Sequence, residues 1–274
     1  MAIVAFWNES EKENGQTLSI IAIANQMAIE HNYRILVIDA CFSDKTIENA
    51  FWKTKENKTI KALNAGKIDV SSGAEGLVSA VASNKATPEI ITNYTRVVYK
   101  NRLDILLGLK TKIEEEHEKS LMLYKDLIYA ANKYYDLIFV DVQKGYKRIT
   151  SKALINQANL IVYTMPPNLA NIDNYLALKE KDEIIGSRKI LPLLAKSDES
   201  SSYNVKNTSR YIKERGIIPC IPYNVRFMEA SNEARISKYF TSQKLSNSKT
   251  GESFFNEVER TCVAIINKLK ELNQ

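Results

Sequence analysis

The sequence predicts an α/β fold in which helices cover both faces of a mostly parallel, doubly wound sheet. Six or seven short apolar runs recur along the 274 residues, and such runs are typical of strands buried on both faces. Segments with apolar residues at helical spacing separate most of these runs, and this alternation predicts a parallel sheet. We expect residues 1–274 to form one domain, because α/β folds of this length are common as single units.

The first elements form a strand-helix-strand unit. Residues 3–7 are apolar and predict the first strand, which ends at a polar loop. Ile20, Ala24 and Met27 then recur at helical spacing. Residues 33–39 predict a second strand that ends on a carboxylate.

The rest of the chain repeats this alternation. Later strands are predicted over residues 103–107, 136–141, 160–163, 190–194 and 217–221, with helices near 118–133 and 169–182. Polar surface loops are predicted near residues 56–70, 197–207 and 241–251. From Ser253 onward the pattern predicts one closing amphipathic helix, and we favour its burial in the core over docking on a membrane.

Composition and charge narrow the function classes. The net charge of +6 permits contact with nucleic acid or an anionic membrane surface without establishing either. His31 and His117 are expected at the surface without a role, and three widely separated cysteines argue against a zinc cluster or a disulfide framework. The sequence has no stretch suited to a membrane span and no basic start of a signal peptide, so we expect a soluble, cytoplasmic protein.

The loop after the first strand is the most informative segment, because ligands of open parallel sheets bind beyond the carboxyl ends of the strands. Residues 8–19 lie where a phosphate-binding loop would connect the first strand to the first helix. Backbone N–H groups at the helix start would face a phosphate, and the Thr17 hydroxyl would hold Mg²⁺. The loop carries three glutamates and one lysine, and acids that face a phosphate would oppose its binding.

This loop resembles the deviant P-loop of the ParA/MinD family of ATPases, which follows the pattern Lys-Gly-Gly-x-Gly-Lys-Thr. Gly15 and Thr17 match the last glycine and the hydroxyl that binds Mg²⁺. Gln16 stands in place of the P-loop lysine, Glu11 stands in place of the signature lysine, and charged residues replace the two earlier glycines. The resemblance therefore implies a degenerate ATP site.

Later motifs of the same family follow in the expected order. Asp39 matches the acid at the end of the second strand, although Cys41 replaces the second acid of that pattern. Residues 135–141, followed by Gly145, are similar to the Walker B segment. Further similarities cover residues 158–163, 221–223 and 229–230.

The resemblance implies a set of site residues. Mg²⁺ is expected to bind Thr17 and Asp141, and Asp39 is assigned the catalytic role of orienting the attacking water. Lys12 or Lys144 would replace the lost positive charge. Loss of the lysines should slow phosphoryl transfer, so we expect weak or no hydrolysis of ATP. The alternative is a pseudo-ATPase in which the loop has a purely structural role. The residues expected to contact ATP or ADP are Lys12, Asn14, Gly15, Gln16, Thr17 and Leu18.

Other segments carry less functional information. Residues 195–198 are similar to a weakened Asn-Lys-x-Asp base-recognition motif, and no role is assigned to them. Basic residues within 144–152 and 206–215 are expected to be solvated, with nonspecific phosphate contact as the alternative. Phe227 and Met228 are expected in the core.

A positioning or scaffold protein of the TadZ/CpaE kind, which localises pilus assembly, is the function that the resemblance implies. Phe6-Trp7 and Phe42-Ser43-Asp44 are most similar to that branch. The resemblance also implies a homodimer, protein partners from a pilus or partition machinery, and recruitment to a pole or a membrane-associated complex. The alternative is a partition ATPase that binds DNA nonspecifically. A small-molecule enzyme is a third class, but no acid, base and nucleophile set is visible.

Overall fold

The computed structural model describes residues 2–10, 14–53, 73–83, 88–145, 149–187, 189–245 and 252–273. Within these ranges, eight strands form one sheet. In chain order the strands are β1 (Ala2–Trp7), β2 (Ile35–Ala40), β3 (Arg96–Tyr99), β4 (Leu103–Leu106), β5 (Leu137–Val142), β6 (Leu160–Met165), β7 (Ile190–Ser197) and β8 (Cys220–Pro222).

Helices occupy most of the chain between these strands. They are α1 (Gln16–Glu30), α2 (Thr46–Phe51), α3 (Ala74–Ala82), α4 (Pro88–Tyr94), α5 (Glu114–Leu121), α6 (Tyr124–Ala131), α7 (Ile149–Gln157), α8 (Leu169–Lys181), α9 (Val205–Tyr211), α10 (Val225–Asn232), α11 (Ile236–Leu245) and α12 (Glu252–Leu272).

The strand order across the sheet is β3-β4-β2-β5-β1-β6-β7-β8. Strand β3 is antiparallel to β4, and the other pairs are parallel. The predicted α/β class is therefore confirmed. Strand β1 lies between β5 and β6, so the loops after these three strands meet beyond one edge of the sheet, where α/β proteins bind ligands.

Apolar side chains of the strands alternate between two cores, one on each face of the sheet. On β1, Val4 and Phe6 belong to one core, whereas Ala5 and Trp7 belong to the other. Helices α1, α2 and α10 to α12 cover the first core, and α3 to α9 cover the second. Burial of both faces explains why the strands appear in the sequence as continuous apolar runs.

The helix predicted near residues 118–133 is divided into α5 and α6. The Leu123 N–H donates to Ser120 O at 3.1 Å, and the Leu127 N–H donates to Leu123 O at 3.1 Å, so a tight turn interrupts the helix. Because of this turn, Leu121 and Tyr124 are both buried, while Met122 between them is 64% exposed. Tertiary packing therefore decided a break that the apolar spacing did not indicate.

Two further differences concern short segments. Strand β3 was not predicted, because its exposed Arg96 and Val97 prevent a two-sided apolar run. The loop predicted near 241–251 is wrong at its start, because helix α11 extends to Leu245. The loop predicted near 56–70 lies outside the described residues.

Helix α12 packs its apolar stripe into the core, as predicted. Phe254, Val258, Cys262 and Ile265 are buried on this stripe, and the helix contacts α1 and β8. Among the described residues, no helix is both long enough and apolar enough to cross a membrane.

Candidate functional site

The loops that follow β1, β5 and β6 are joined by Asn8, which is fully buried. Its side-chain amide donates to Thr164 O at the end of β6. Its backbone carbonyl accepts from the Gly145 N–H at 3.1 Å, just beyond β5. Asn8, the first residue of the predicted polar loop, therefore connects the ends of β1, β5 and β6.

Helix α1 begins at this edge of the sheet, on a turn that needs glycine. Gly15 has φ +85°, in the left-handed region that other residues adopt at a cost. The Asn14 side chain accepts from the Gln16 N–H at 3.0 Å. One of the free N–H groups of the helix start thus already has a partner within the chain.

Lys196, which has no predicted role, crosses the start of helix α1. A Cβ atom on Gly15 would lie 3.3 Å from Lys196 Cγ and 3.0 Å from the Cβ of Ala195. The backbone of Lys196 has φ 53°, which is unusual for a residue with a side chain. This lysine therefore places a positive charge near the helix start, and the 195–198 motif was the sequence signal that could have indicated it.

Gln16, at the position of the family's P-loop lysine, points its side chain into the protein. It is fully buried, and its amide nitrogen donates to Asp141 Oδ1 at 2.6 Å and to Val142 O at 2.9 Å. Both acceptors lie at the end of β5. The Gln16 side chain therefore holds the end of β5, and it carries no charge that could neutralise a phosphate.

The predicted acids Asp39 and Asp141 are brought together because their strands are neighbours in register. Burial raises the pKa of Asp141 from its ordinary value of 3.8 to about 6, although the hydrogen bond from Gln16 lowers it. Burial and then the nearby Asp141 raise the pKa of Asp39 well above its ordinary value. The Cys41 N–H donates to Asp39 Oδ1 at 3.0 Å and fixes this carboxyl group.

Thr17 and Asp141, the residues expected to hold Mg²⁺, lie side by side. The Thr17 hydroxyl is close enough to lower the pKa of Asp141. Within the described chain, neither Thr17 Oγ1 nor Asp141 Oδ2 has a hydrogen-bond partner of normal geometry. Buried oxygen atoms that lack a regular hydrogen bond suit a hard cation such as Mg²⁺. The residues present therefore fit the expected ion.

The remaining predicted site residues lie at different depths. Leu18 is half-buried and packs against the core below α1, so its side chain is a structural contact. Lys144 is half-buried and lowers the pKa of Asp141, as the weakest of the causes that act on it. Lys12 lies outside the described residues. The expectation of a surface position is wrong for His117, which is buried against Phe42.

The comparison with known proteins gives similarity in structure alone. No family model matches the sequence, and no curated protein matches it. A ParA family ATPase from Chlorobium tepidum TLS superposes with a TM-score of 0.63 at 15% identity, and the match covers 90% of this chain and 98% of that one. The cell division ATPase MinD from Pyrococcus furiosus gives a TM-score of 0.65 at 13% identity, over 94% and 98% of the two chains.

A third solved structure carries a ligand. The septum site-determining protein MinD from Pyrococcus horikoshii OT3, complexed with Mg-ADP, gives a TM-score of 0.63 at 13% identity. The match covers 94% of this chain and 95% of that one. Identities this low establish the fold and leave ligand and activity to be argued from the site. The chain therefore has the α/β fold seen in these ParA and MinD structures.

Proposed function

We propose that this protein is a ParA/MinD-like positioning or scaffold protein with a degenerate ATP site, which binds Mg-nucleotide but hydrolyses ATP slowly or not at all. The observation that carries this proposal is the inward orientation of Gln16. Its amide nitrogen donates to Asp141 Oδ1 and Val142 O, whereas the lysine of the ParA/MinD loop at this position would neutralise the phosphates.

Slow hydrolysis follows from the lost charge. Phosphoryl transfer depends chiefly on positioning and on cations that stabilise the transition state. Gln16 supplies no cation, and Lys196 approaches the helix start from β7, over Gly15, instead of from within the loop. A lysine in that position can attract a bound phosphate, but it is not placed to stabilise the phosphoryl group during its transfer.

Nucleotide binding is supported by three features of the site. The start of helix α1 favours anions, Lys196 adds a positive charge there, and the buried oxygens of Thr17 and Asp141 suit Mg²⁺. The structurally similar MinD from Pyrococcus horikoshii is complexed with Mg-ADP. When bound, Mg²⁺ would neutralise phosphate charge, and Thr17 and Asp141 are the residues that would hold it.

The pilus assignment depends on resemblance to the TadZ/CpaE branch through Phe6-Trp7 and Phe42-Ser43-Asp44. Phe6 and Trp7 are fully buried in opposite cores, so they bear on the fold more than on a partner. Phe42 is half-buried at the site edge, where its N–H donates to Gln143 Oε1 at 2.7 Å. Homodimer formation and pilus partners are proposed on that resemblance.

Thermal unfolding with and without Mg-ATP or Mg-ADP tests the nucleotide part of the proposal. A ligand at 100 times its dissociation constant stabilises the fold by about 2.7 kcal/mol, which raises the melting temperature measurably. We expect a rise with both nucleotides and a slow or undetectable release of phosphate from ATP. Absence of any shift at millimolar nucleotide would overturn nucleotide binding.

Lys196→Met tests whether the crossing lysine carries the binding. We expect about a tenfold loss of nucleotide affinity, the loss typical of removing a charged hydrogen-bond donor. Lys238→Met is the matched control, because Lys238 is exposed on helix α11. Equal affinities for Lys196→Met and the control would show that Lys196 has no part in binding.

The alternative function is that of a partition ATPase that binds DNA. It is favoured by the net charge of +6 and by the exposed positions of Lys206, Arg210, Lys213 and Arg215. Phosphate contacts predict that retention of duplex DNA falls steeply as salt rises. ATP hydrolysis that DNA stimulates would favour this alternative over the scaffold.

A further inference from the structure

Cys41 lies with Asp39 and Asp141 in a compact cluster at the ends of two neighbouring strands. One ligand atom from each side chain, the thiol sulfur and a carboxylate oxygen from either acid, lies within 4.8 Å of the other two. Each of the three residues is at most 4% exposed. The Cys41 thiol points toward β5, since its sulfur lies 3.6 Å from Asp141 O.

Among the described residues, no lysine or arginine forms an ion pair with Asp39, Cys41 or Asp141. Gln16 contributes only a neutral amide to Asp141. A divalent cation would supply the compensation that these side chains lack.

A separate observation points to a ligand at the same place. Thr17 Oγ1 belongs to helix α1 and not to the cluster, and Thr17 is 6% exposed. It lies against the Asp141 carboxyl, yet no group in the described chain makes a regular hydrogen bond with it. The second oxygen of Asp141 is buried and also lacks a hydrogen bond of regular geometry, so both oxygen atoms could turn to a cation.

We propose that Asp39, Cys41 and Asp141 bind a divalent metal that accepts thiolate, of the Zn²⁺ or Co²⁺ class, with Thr17 or a water at the fourth position. Carboxylate oxygens alone would suit Mg²⁺, whereas a thiolate selects softer ions. Binding forms a metal–sulfur bond as the thiol proton leaves to water. The proposal requires no nucleotide. It uses Asp141 and Thr17, which the proposed function assigns to Mg²⁺, so the two ions are alternative occupants of this place.

Zinc sites are usually recognised in a sequence as clusters of cysteine and histidine, and this sequence has no such cluster. Here two of the ligands are carboxylates, and they come from positions about one hundred residues apart, joined by the parallel register of Asp39 with Asp141. Cys41 replaces an acid of the family pattern, so the thiol is the residue that would change the metal preference.

Titration of the nucleotide-free, reduced protein with Co²⁺ tests the proposal, because thiolate-bound cobalt gives a charge-transfer absorption in the near ultraviolet. We expect this band in the unmodified chain, its loss in Cys41→Ser, and at least about tenfold weaker cobalt affinity in Asp39→Asn. Zn²⁺ should remove the band, whereas an equal concentration of Mg²⁺ should not.

Cys220→Ser and Cys262→Ser are the matched controls. Both cysteines are buried, and Cys220 is the competing thiol because its sulfur lies 3.7 Å from Glu257 Oε2. Each control is expected to keep the full cobalt band. A band that disappears in Cys220→Ser or persists in Cys41→Ser would overturn the proposal, as would the absence of a band in the unmodified chain.

Melting curves provide a second readout that also reports folding. Zn²⁺ should raise the melting temperature of the unmodified chain and of both controls, but should raise that of Cys41→Ser much less. If Cys41→Ser does not fold, Asp39→Asn takes its place in this comparison. An equal rise with Zn²⁺ in Asp39→Asn and in the unmodified chain would then overturn the proposal.

Discussion

Gly15 is constrained both by its backbone and by the space around it. Its φ of +85° lies in the left-handed region, and a Cβ atom would meet Ala195 Cβ at 3.0 Å. Both constraints arise because β7 ends directly over the start of helix α1. The single glycine retained in the loop is therefore the one that this contact requires.

Gly15→Ala is expected to lower the free energy of unfolding by about 1–2 kcal/mol from the backbone alone, with a further loss from the contact with Ala195. Gly216→Ala is the control, because a Cβ there meets nothing within 4 Å. Denaturant unfolding of both variants measures the difference. Equal stabilities would mean that the turn at Gly15 relaxes freely.

Asp104 is a buried acid away from the candidate site, and it predicts a pH dependence of stability. It accepts a hydrogen bond from Tyr135 OH at 2.8 Å. Burial raises the pKa of Asp104 above its ordinary value of 3.8, while the hydrogen bond from Tyr135 and the charge of Arg34 lower it. The folded chain therefore binds this proton more tightly than the unfolded chain does.

The free energy of unfolding should consequently fall as the pH rises from about 3.9 through the folded pKa of Asp104. Asp104→Asn removes this titration and keeps an oxygen that can accept from Tyr135. We expect the stability of the unmodified chain, relative to this variant, to decrease across that pH range in urea unfolding. A difference that stays constant, or one that increases with pH, would contradict the assignment.

At the scale of elements, the edge strand β8 is protected by helix α12. Thr261 Oγ1 accepts from the Cys220 N–H at 3.1 Å and donates to Cys220 O at 2.8 Å. One hydroxyl thus satisfies a donor and an acceptor on the free side of the strand. Unpaired edges invite association with other chains, and this contact limits that hazard.

Thr261→Val should lower the free energy of unfolding by about 1–3 kcal/mol, because the Cys220 N–H and carbonyl stay buried without partners. It should also increase self-association, which light scattering can follow. Thr241→Val is the control, since Thr241 is exposed and bonds only to carbonyls of its own helix. If both variants lose the same stability, the edge contact contributes nothing specific.

At the scale of the whole molecule, helix α12 closes the core that covers one face of the sheet. Its apolar stripe contributes Phe254, Val258, Cys262 and Ile265 to the layer that includes α1 and the inward side chains of β1. The candidate site includes the start of α1, and α12 packs against α1. The last helix therefore helps to fix the position of the loop that precedes α1. Contacts between these two helices thus affect both stability and the site.

Deletion of residues 252–274 is expected to abolish cooperative unfolding, because it uncovers the apolar face of α1 and the edge of β8. Circular dichroism and calorimetry of the truncated chain measure this outcome. Val263→Ala within the intact helix is a mild control, since Val263 is 40% exposed. A truncated chain with a normal melting transition would show that the two cores are independent.

Much of the fold could be predicted from the sequence, because burial on both sides leaves continuous apolar runs at β1, β2, β5 and β6. Strand β3 escaped prediction because only one side of it is paired and its side chains are partly exposed. The division between α5 and α6 escaped as well, since a turn that buries Leu121 and Tyr124 leaves the apolar spacing nearly helical.

For the site, the sequence by itself determined the residue types and their order along the chain. Gln16 in place of a lysine, Cys41 in place of an acid, and carboxylates at the ends of two strands are all visible there. These residue types already limit the charge of the site and its preference among metal ions. Both properties depend first on the chemistry of the side chains, which the sequence gives directly.

Only the tertiary structure decided which of these groups meet. The parallel register places Asp39 beside Asp141, the buried amide of Gln16 turns to Asp141, and β7 carries Lys196 across Gly15. Such contacts join residues more than one hundred positions apart in the chain, and local sequence patterns cannot predict contacts between residues so far apart. Burial then changes their acidity, since desolvation exists only once the sheet has formed.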